Sequence, residues 1–130
     1  MALRVQLRLI FADGKTIGPG KADLLAHIDR LGSIAAAGRE MKMSYKRAWG
    51  LVEEMNGSFS APLVTTERGG ADRGGARVTE LGVAVLARYR HLVEGVQVAG
   101  AQDIDFIARH LRETKEVLPG GAQTVISNET

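Results

Sequence analysis

The chain has 130 residues, no cysteine and a formal net charge of +2, with 45% hydrophobic and 25% charged residues. Such a chain can bury one core and is not disordered by composition, and the missing cysteine excludes disulfides and thiolate metal sites. Charge is uneven: five Lys/Arg against three Asp/Glu over 1–38, nine against six over 39–90, and three against six from 91 onward, so only the middle leans towards a polyanion.

The first stretch, "LRVQLRLIF", puts Leu3, Val5, Leu7 and Leu9 on one face and Arg4, Gln6 and Arg8 on the other. Period two predicts a half-buried strand. This start does not read as a signal peptide, and no apolar run approaches a membrane span, so a cytoplasmic protein with no membrane partner is expected. "ADGKTIGPG" reads as a loop with a turn at Asp13-Gly14. "KADLLAHIDRL" spaces Leu24, Leu25, Ile28 and Leu31 as a helix that Gly32 ends. Ser33 is the cap for a short helix, "IAAAGREM", and Ser44 for a third helix with Ala48, Leu51, Val52, Met55 and Phe59 as its apolar stripe. After Pro62 come two short strands, "LVTTE" and "ARV", around a glycine run. A fourth helix capped by Thr79 carries Leu81, Val85, Leu86, Tyr89, Leu92, Val93 and Val96, and its continuity through Gly95 and Gly100 is left open. "DIDFIARHLRETKEVL" predicts a last helix, and 119–130 a flexible tail.

Two phosphate-loop readings fail on spacing. "GKT" at Gly14–Thr16 would need a glycine where Leu9 stands. Gly69, Gly70, Gly74 and Gly75 lack the spacing of a dinucleotide turn, and the run joins two strands instead of a strand and a helix. His27, His91 and His110 are scattered with no partner at ligand spacing. Glu53-Glu54 reads as a solvated pair, and Met41, Met43, Met55 and Trp49 as packing residues. No catalytic constellation, metal site or cofactor is expected.

The order strand, helix, short helix, turn, helix, strand, loop, strand, helix is that of a winged helix-turn-helix: a mainly α fold with a small β wing (α+β) and a long C-terminal dimerisation helix. Ser44, Tyr45, Lys46 and Arg47 open the third helix, where a recognition helix presents polar groups to the major groove of double-stranded DNA. Lys46 and Arg47 suit guanine edges, and Ser44 and Tyr45 suit phosphate or orientation. Ser33 would offer a backbone N–H to phosphate. In the glycine run, Arg68, Arg73 and Arg77 would reach backbone or minor groove. The same shape serves protein-binding modules and architectural DNA binders, and "SYKRAW" also suits a solvated helix start. Leu86, Tyr89, Val93 and Val96 recur at seam spacing and are the candidate homodimer interface. The other reading is that this face packs on its own domain. The expected boundaries are 1–90 for the winged helix, 91–118 for a helical dimerisation extension and 119–130 for the tail.

"GSIAAAGREMKMSYKRAWGLVEEMN" followed by "PLVTTERGGADRGGARVTELGVAVLARYR" resembles the N-terminal domain of the ModE-type, molybdate-responsive transcription regulators of bacteria, itself related to the LysR-type winged helix. "LRLIFADGKTIGPGKADLL" is similar to the opening strand and first helix of that family, so the resemblance runs from Leu3 to Arg90. It implies a homodimeric DNA-binding regulator whose fourth helix helps pair two subunits. Two features depart from the family. Lys42 stands where its turn usually carries glycine. The residues after Arg90 are too few for the family's C-terminal oxyanion-binding domains and carry no Ser-Ala-Arg-Asn motif, so molybdate binding by this chain alone is not expected. Constitutive action, sensing at the dimer interface and a separate sensor protein all stay open.

Overall fold

The computed structural model describes residues 3–67 and 75–112. The chain divides into two compact units, residues 7–91 in one and residues 3–6 with 92–112 in the other.

The first unit opens on a small hairpin. Strands β1 (Leu9–Ile10) and β2 (Thr16–Ile17) pair antiparallel with Leu9 opposite Ile17. Gly14, at φ 91°, makes the turn, and the Asp13 carboxylate accepts from the Lys15 N–H at 3.1 Å and pairs with its ammonium at 3.1 Å. Those Lys15 hydrogen bonds hold the Asp13 carboxyl below its ordinary value. Burial alternates along 4–10 as the period predicts, but only two residues find a ladder partner and the supposed loop supplies it. A strand needs a neighbour for its backbone groups, and among the described residues none runs beside 3–8.

Helix α1 (Pro19–Leu31) begins with proline in its first turn, where a missing N–H costs nothing. Leu24, Leu25 and Ile28 lie at helical spacing and are fully buried. Gly32, left-handed at φ 69°, ends the helix by donating to Ile28 O at 2.8 Å. Lys21 binds Thr16 O at 3.1 Å and Glu54 at 3.2 Å, tying the hairpin to α1 and to the third helix. Glu53 and Glu54 are both exposed, in keeping with the solvated reading, and Glu54 also pairs with Lys21.

Helices α2 (Ile34–Glu40) and α3 (Tyr45–Ser58) form the helix-turn-helix. Ala48, Val52 and Met55 of α3 are buried, and Leu51 and Phe59 half-buried. A methyl on Gly38 would lie 3.1 Å from the Ala48 Cβ, so glycine permits close approach of the two helices. The turn between them has a Schellman pattern: Met43 N–H reaches back to Gly38 O at 2.9 Å and Lys42 N–H to Arg39 O at 3.0 Å. Lys42 takes the left-handed position at φ 57°.

The wing strands β3 (Val64–Glu67) and β4 (Gly75–Val78) pair antiparallel, Val64 opposite Val78 and Thr65 opposite Arg77. Thr79 N–H donates to Leu63 O at 2.9 Å, which makes Val64–Val78 a non-hydrogen-bonded pair. The backbone groups of Val64 and of Ala76 then point away from the partner strand, one at each outer edge.

Helix α4 (Glu80–Ala99) runs unbroken through Gly95 and stops at Gly100, and α5 (Ala101–Arg109) follows. The last helix thus starts before Asp103, and Leu111–Arg112 already lie beyond its end. Among the described residues no helix is long and apolar enough to cross a membrane.

Candidate nucleic-acid interface

The start of α3 is set by its cap. Ser44 Oγ accepts from the Arg47 N–H at 3.0 Å, satisfying one of the donors a helix start leaves free. Ser44, Tyr45, Lys46 and Arg47 are all exposed, so the sequence-predicted cluster stands together on one helical turn facing solvent. The Tyr45 ring meets Trp49 edge-on, centroids 6.2 Å apart. Trp49 is half-buried and anchors the tyrosine one turn along, which leaves the phenol end free. Among the described residues no carboxylate pairs with Lys46, Arg47 or Arg77. Cations left without partners on a rigid, capped helix start suit an external anion.

Ser33 is half-buried, with its hydroxyl accepting from the Ala36 N–H at 3.0 Å, and it forms an isolated bridge with Gly75. It therefore stands at the foot of the wing. Arg77 is exposed on β4. Arg68, Arg73 and most of the glycine run, like the tail over 119–130, lie outside the described residues.

Sequence reasoning missed the residue that seats the wing. Asn56, on α3, accepts through Oδ1 from Leu63 N–H at 2.8 Å and Val64 N–H at 3.1 Å, and its amide donates to Val64 O at 3.0 Å. It acts as a short third strand along the outer edge of β3. The edge of β4 is held where Ala76 N–H donates to Gly32 O at 3.0 Å. Thr79 was expected as a cap and accepts from Gly82 N–H at 3.0 Å, but it also donates to Pro62 O at 2.8 Å. One edge of the wing root is thus bonded to α3 and the other to Gly32 at the end of α1. Asparagine before a loop is a weak signal, and partners seven and eight residues away carry no periodicity to read.

The four candidate pairing residues do not share one environment. Leu86 and Tyr89 are only 7% and 8% exposed in the single chain, and Tyr89 donates to Leu7 O at 2.6 Å. Val93 is half-buried and Val96 exposed. In the second unit, Leu92, Val98, Phe106, Ile107 and Leu111 are also exposed, and no residue of α5 is buried. An open groove of about 540 Å³ there, lined by Leu3, Ile104 and the Asp105–Arg109 pair, has no buried polar group. Among the described residues no cluster of three His, Asp or Glu side chains could hold a metal ion.

No family model matches the chain. It is 45% identical over 83 residues to the molybdenum-pterin-binding protein MopB of Rhodobacter capsulatus, covering 64% of this chain and 31% of that one. It is 34% identical over 100 residues to the molybdenum transport protein ModE of Azotobacter vinelandii, covering 77% and 36%. To the DNA-binding transcriptional dual regulator ModE of Escherichia coli K12 it is 35% identical over 99 residues, covering 76% and 36%. The chain spans about a third of the length of these relatives. Among solved structures, the DNA-binding domain of CbnR in its DNA complex matches with a TM-score of 0.53 at 18% identity, over 68% of this chain and 95% of that one. The LysR family regulator VV2_1132 matches at 0.52 and 17% identity, over 72% and 30%. At such identities these two matches speak for the fold.

Proposed function

We propose that this chain, which carries a ModE/LysR-like winged helix-turn-helix domain, binds double-stranded DNA and regulates transcription. The observation that carries the proposal is the first turn of α3. It presents Lys46 and Arg47, both exposed and without ion-pair partners among the described residues, on a helix start fixed by Ser44. The first turn of a recognition helix enters the major groove, where arginine pairs with guanine O6 and N7. Ser44 and Tyr45 then contact phosphate, with Ser33 offering a backbone N–H at the foot of the wing. Arg77, with Arg68 and Arg73, lies along backbone or minor groove. The names of the relatives support this reading, since they include DNA-binding transcriptional regulators.

The regulator is a homodimer in this proposal, with two recognition helices about 34 Å apart or a multiple of that. The exposed apolar side chains from Leu92 to Leu111 support pairing beyond the buried Leu86 and Tyr89.

Selection of bound sites from random duplexes, with and without molybdate, tests the proposal. A recovered palindrome supports a sequence-reading dimer. Arg47→Ala should then cost about 1–3 kcal/mol and relax one position of the site. Equal loss on all sequences would make Arg47 a phosphate contact. Indifference to both salt and DNA would leave a protein-interaction module.

A further inference from the structure

Lys42 stands at the left-handed position of the turn between α2 and α3. Its φ of 57° is the only positive value among the described non-glycine residues. Glycine adopts this conformation freely, whereas the lysine Cβ crowds the neighbouring carbonyl. The surroundings impose it. Met41 N–H bonds to Ala37 O and Gly38 O at 3.1 Å, and the Lys42 and Met43 N–H groups close the rest of the turn.

The side chain makes no polar contact with the described residues that would offset the strain. Lys42 is exposed and has neither an ion pair nor a side-chain hydrogen bond with a described residue. From Arg39 to Val52 the chain holds four cations, Arg39, Lys42, Lys46 and Arg47, and one carboxylate, Glu40. Glu40 is turned to α1, 3.2 Å from Arg30 and 3.9 Å from His27. It does not neutralise the turn. A lysine held in strain, unpaired and two residues before the cap of α3, is placed for a ligand and not for folding.

We propose that Lys42 grips a DNA phosphate beside the recognition helix and reads no base. The proposal rests on the DNA-binding reading above. A flexible ammonium with three donors meets phosphate in many geometries, so its contribution belongs to every sequence alike. A residue that costs stability and serves binding predicts opposite signs in two measurements on one variant.

Three variants of the full chain test this. Lys42→Asn removes the charge with a residue that tolerates the left-handed region. Lys42→Gly relieves the strain, and Lys42→Arg keeps the charge. Each is unfolded in urea and titrated with a selected duplex and an unrelated one between 50 and 200 mM salt. The Asn and Gly variants should unfold at urea concentrations no lower than the parent. They should bind both duplexes more weakly by one factor, with a salt slope shallower by about 0.9. The parent's advantage should therefore shrink about 3- to 4-fold across that salt range. The Arg variant should keep the parental slope. An unchanged slope in the Asn and Gly variants, with the parent binding normally, overturns the role of Lys42 alone. So does a loss confined to the selected duplex. A parent that binds neither duplex overturns the DNA-binding reading itself, and Lys42 falls with it.

Discussion

Replacing Asn56 with alanine is the sharpest probe of how the wing is seated. The side chain serves three backbone groups at the edge of β3, two N–H donors and one carbonyl. Leu63 and Val64 are 0% and 2% exposed, so the freed donors have little water to turn to. β4 offers no substitute for Val64, because the Thr79 N–H bond to Leu63 O fixes the register in which the Val64 groups face outward. An unsatisfied buried donor costs about 1–3 kcal/mol, and the half-buried position of Asn56 lets some water follow the deletion. The expected loss is about 2–4 kcal/mol, a large share of the total of about 5–15 kcal/mol for an ordinary domain. Urea unfolding of Asn56→Ala measures it through the midpoint at constant slope. Amide exchange adds a local readout, since the Leu63 and Val64 N–H groups should lose protection before the α1 core does. A loss below about 0.5 kcal/mol, with exchange at Leu63 and Val64 unchanged, would refute the reasoning: the edge of β3 would then be satisfied by something other than Asn56.

Three further substitutions test separate parts of the fold. A methyl on Gly82 would press on Leu63 O and lie 2.6 Å from Val78 Cγ1, so Gly82→Ala should destabilise by about 3 kcal/mol or fail to fold; parental melting by circular dichroism would contradict it. Ser44→Ala removes the cap of α3 and should cost about 1 kcal/mol in urea unfolding, whereas Ser44→Asp should preserve the cap but weaken DNA binding through its charge. Tyr89→Phe loses the hydrogen bond to Leu7 O and should cost about 1 kcal/mol at neutral pH. Burial raises the Tyr89 pKa above its ordinary value near 10, so the folded state disfavours the phenolate. Its stabilising contribution is full below pH 10 and is lost as pH rises beyond it, a decline that the Phe variant should show less.

Features with a local cause were legible in the sequence. The spacing of Leu24, Leu25 and Ile28 determines a buried stripe, and Gly32, Ser33 and Ser44 take the terminal conformations and caps their chemistry favours. The exposed cluster from Ser44 to Arg47 follows from the same cap, because fixing where α3 starts fixes which residues share its first turn. Features with a non-local cause were not legible. The alternation described which side chains turn inward over 4–10, but it could not say that only Leu9 and Ile10 would find a ladder partner. Asn56 gave no signal because its partners are backbone groups across a loop. Lys21 gave no signal either, because its partner Glu54 is brought to it by α3. Lys42 lies between the two cases. Its departure from the family's glycine was legible, whereas its left-handed conformation is seen only with the Schellman hydrogen bonds around it.

The stripe on α4 shows how a correct spacing can leave its meaning open. Leu86, Tyr89, Val93 and Val96 recur at three and four residues and so share a face of the helix. Sharing a face says nothing about what that face meets. Tyr89 is 8% exposed and its hydroxyl is engaged with Leu7, whereas Val96 is 38% exposed. Burial along the stripe therefore falls from Leu86 and Tyr89 to Val96. A partner subunit would gain little from Leu86 or Tyr89, which are already out of water. It would gain from Leu92, Val96, Val98 and the apolar side chains of α5, whose burial is worth roughly 25 cal/mol per Å². Val96→Asp with Ile107→Asp should accordingly weaken pairing in light scattering without moving the urea midpoint of the helix-turn-helix at matched monomer concentrations. Tyr89→Phe should do the reverse. If the Asp pair leaves the dimer intact, or if the chain is monomeric at micromolar concentration, the pairing surface is not the one exposed beyond His91.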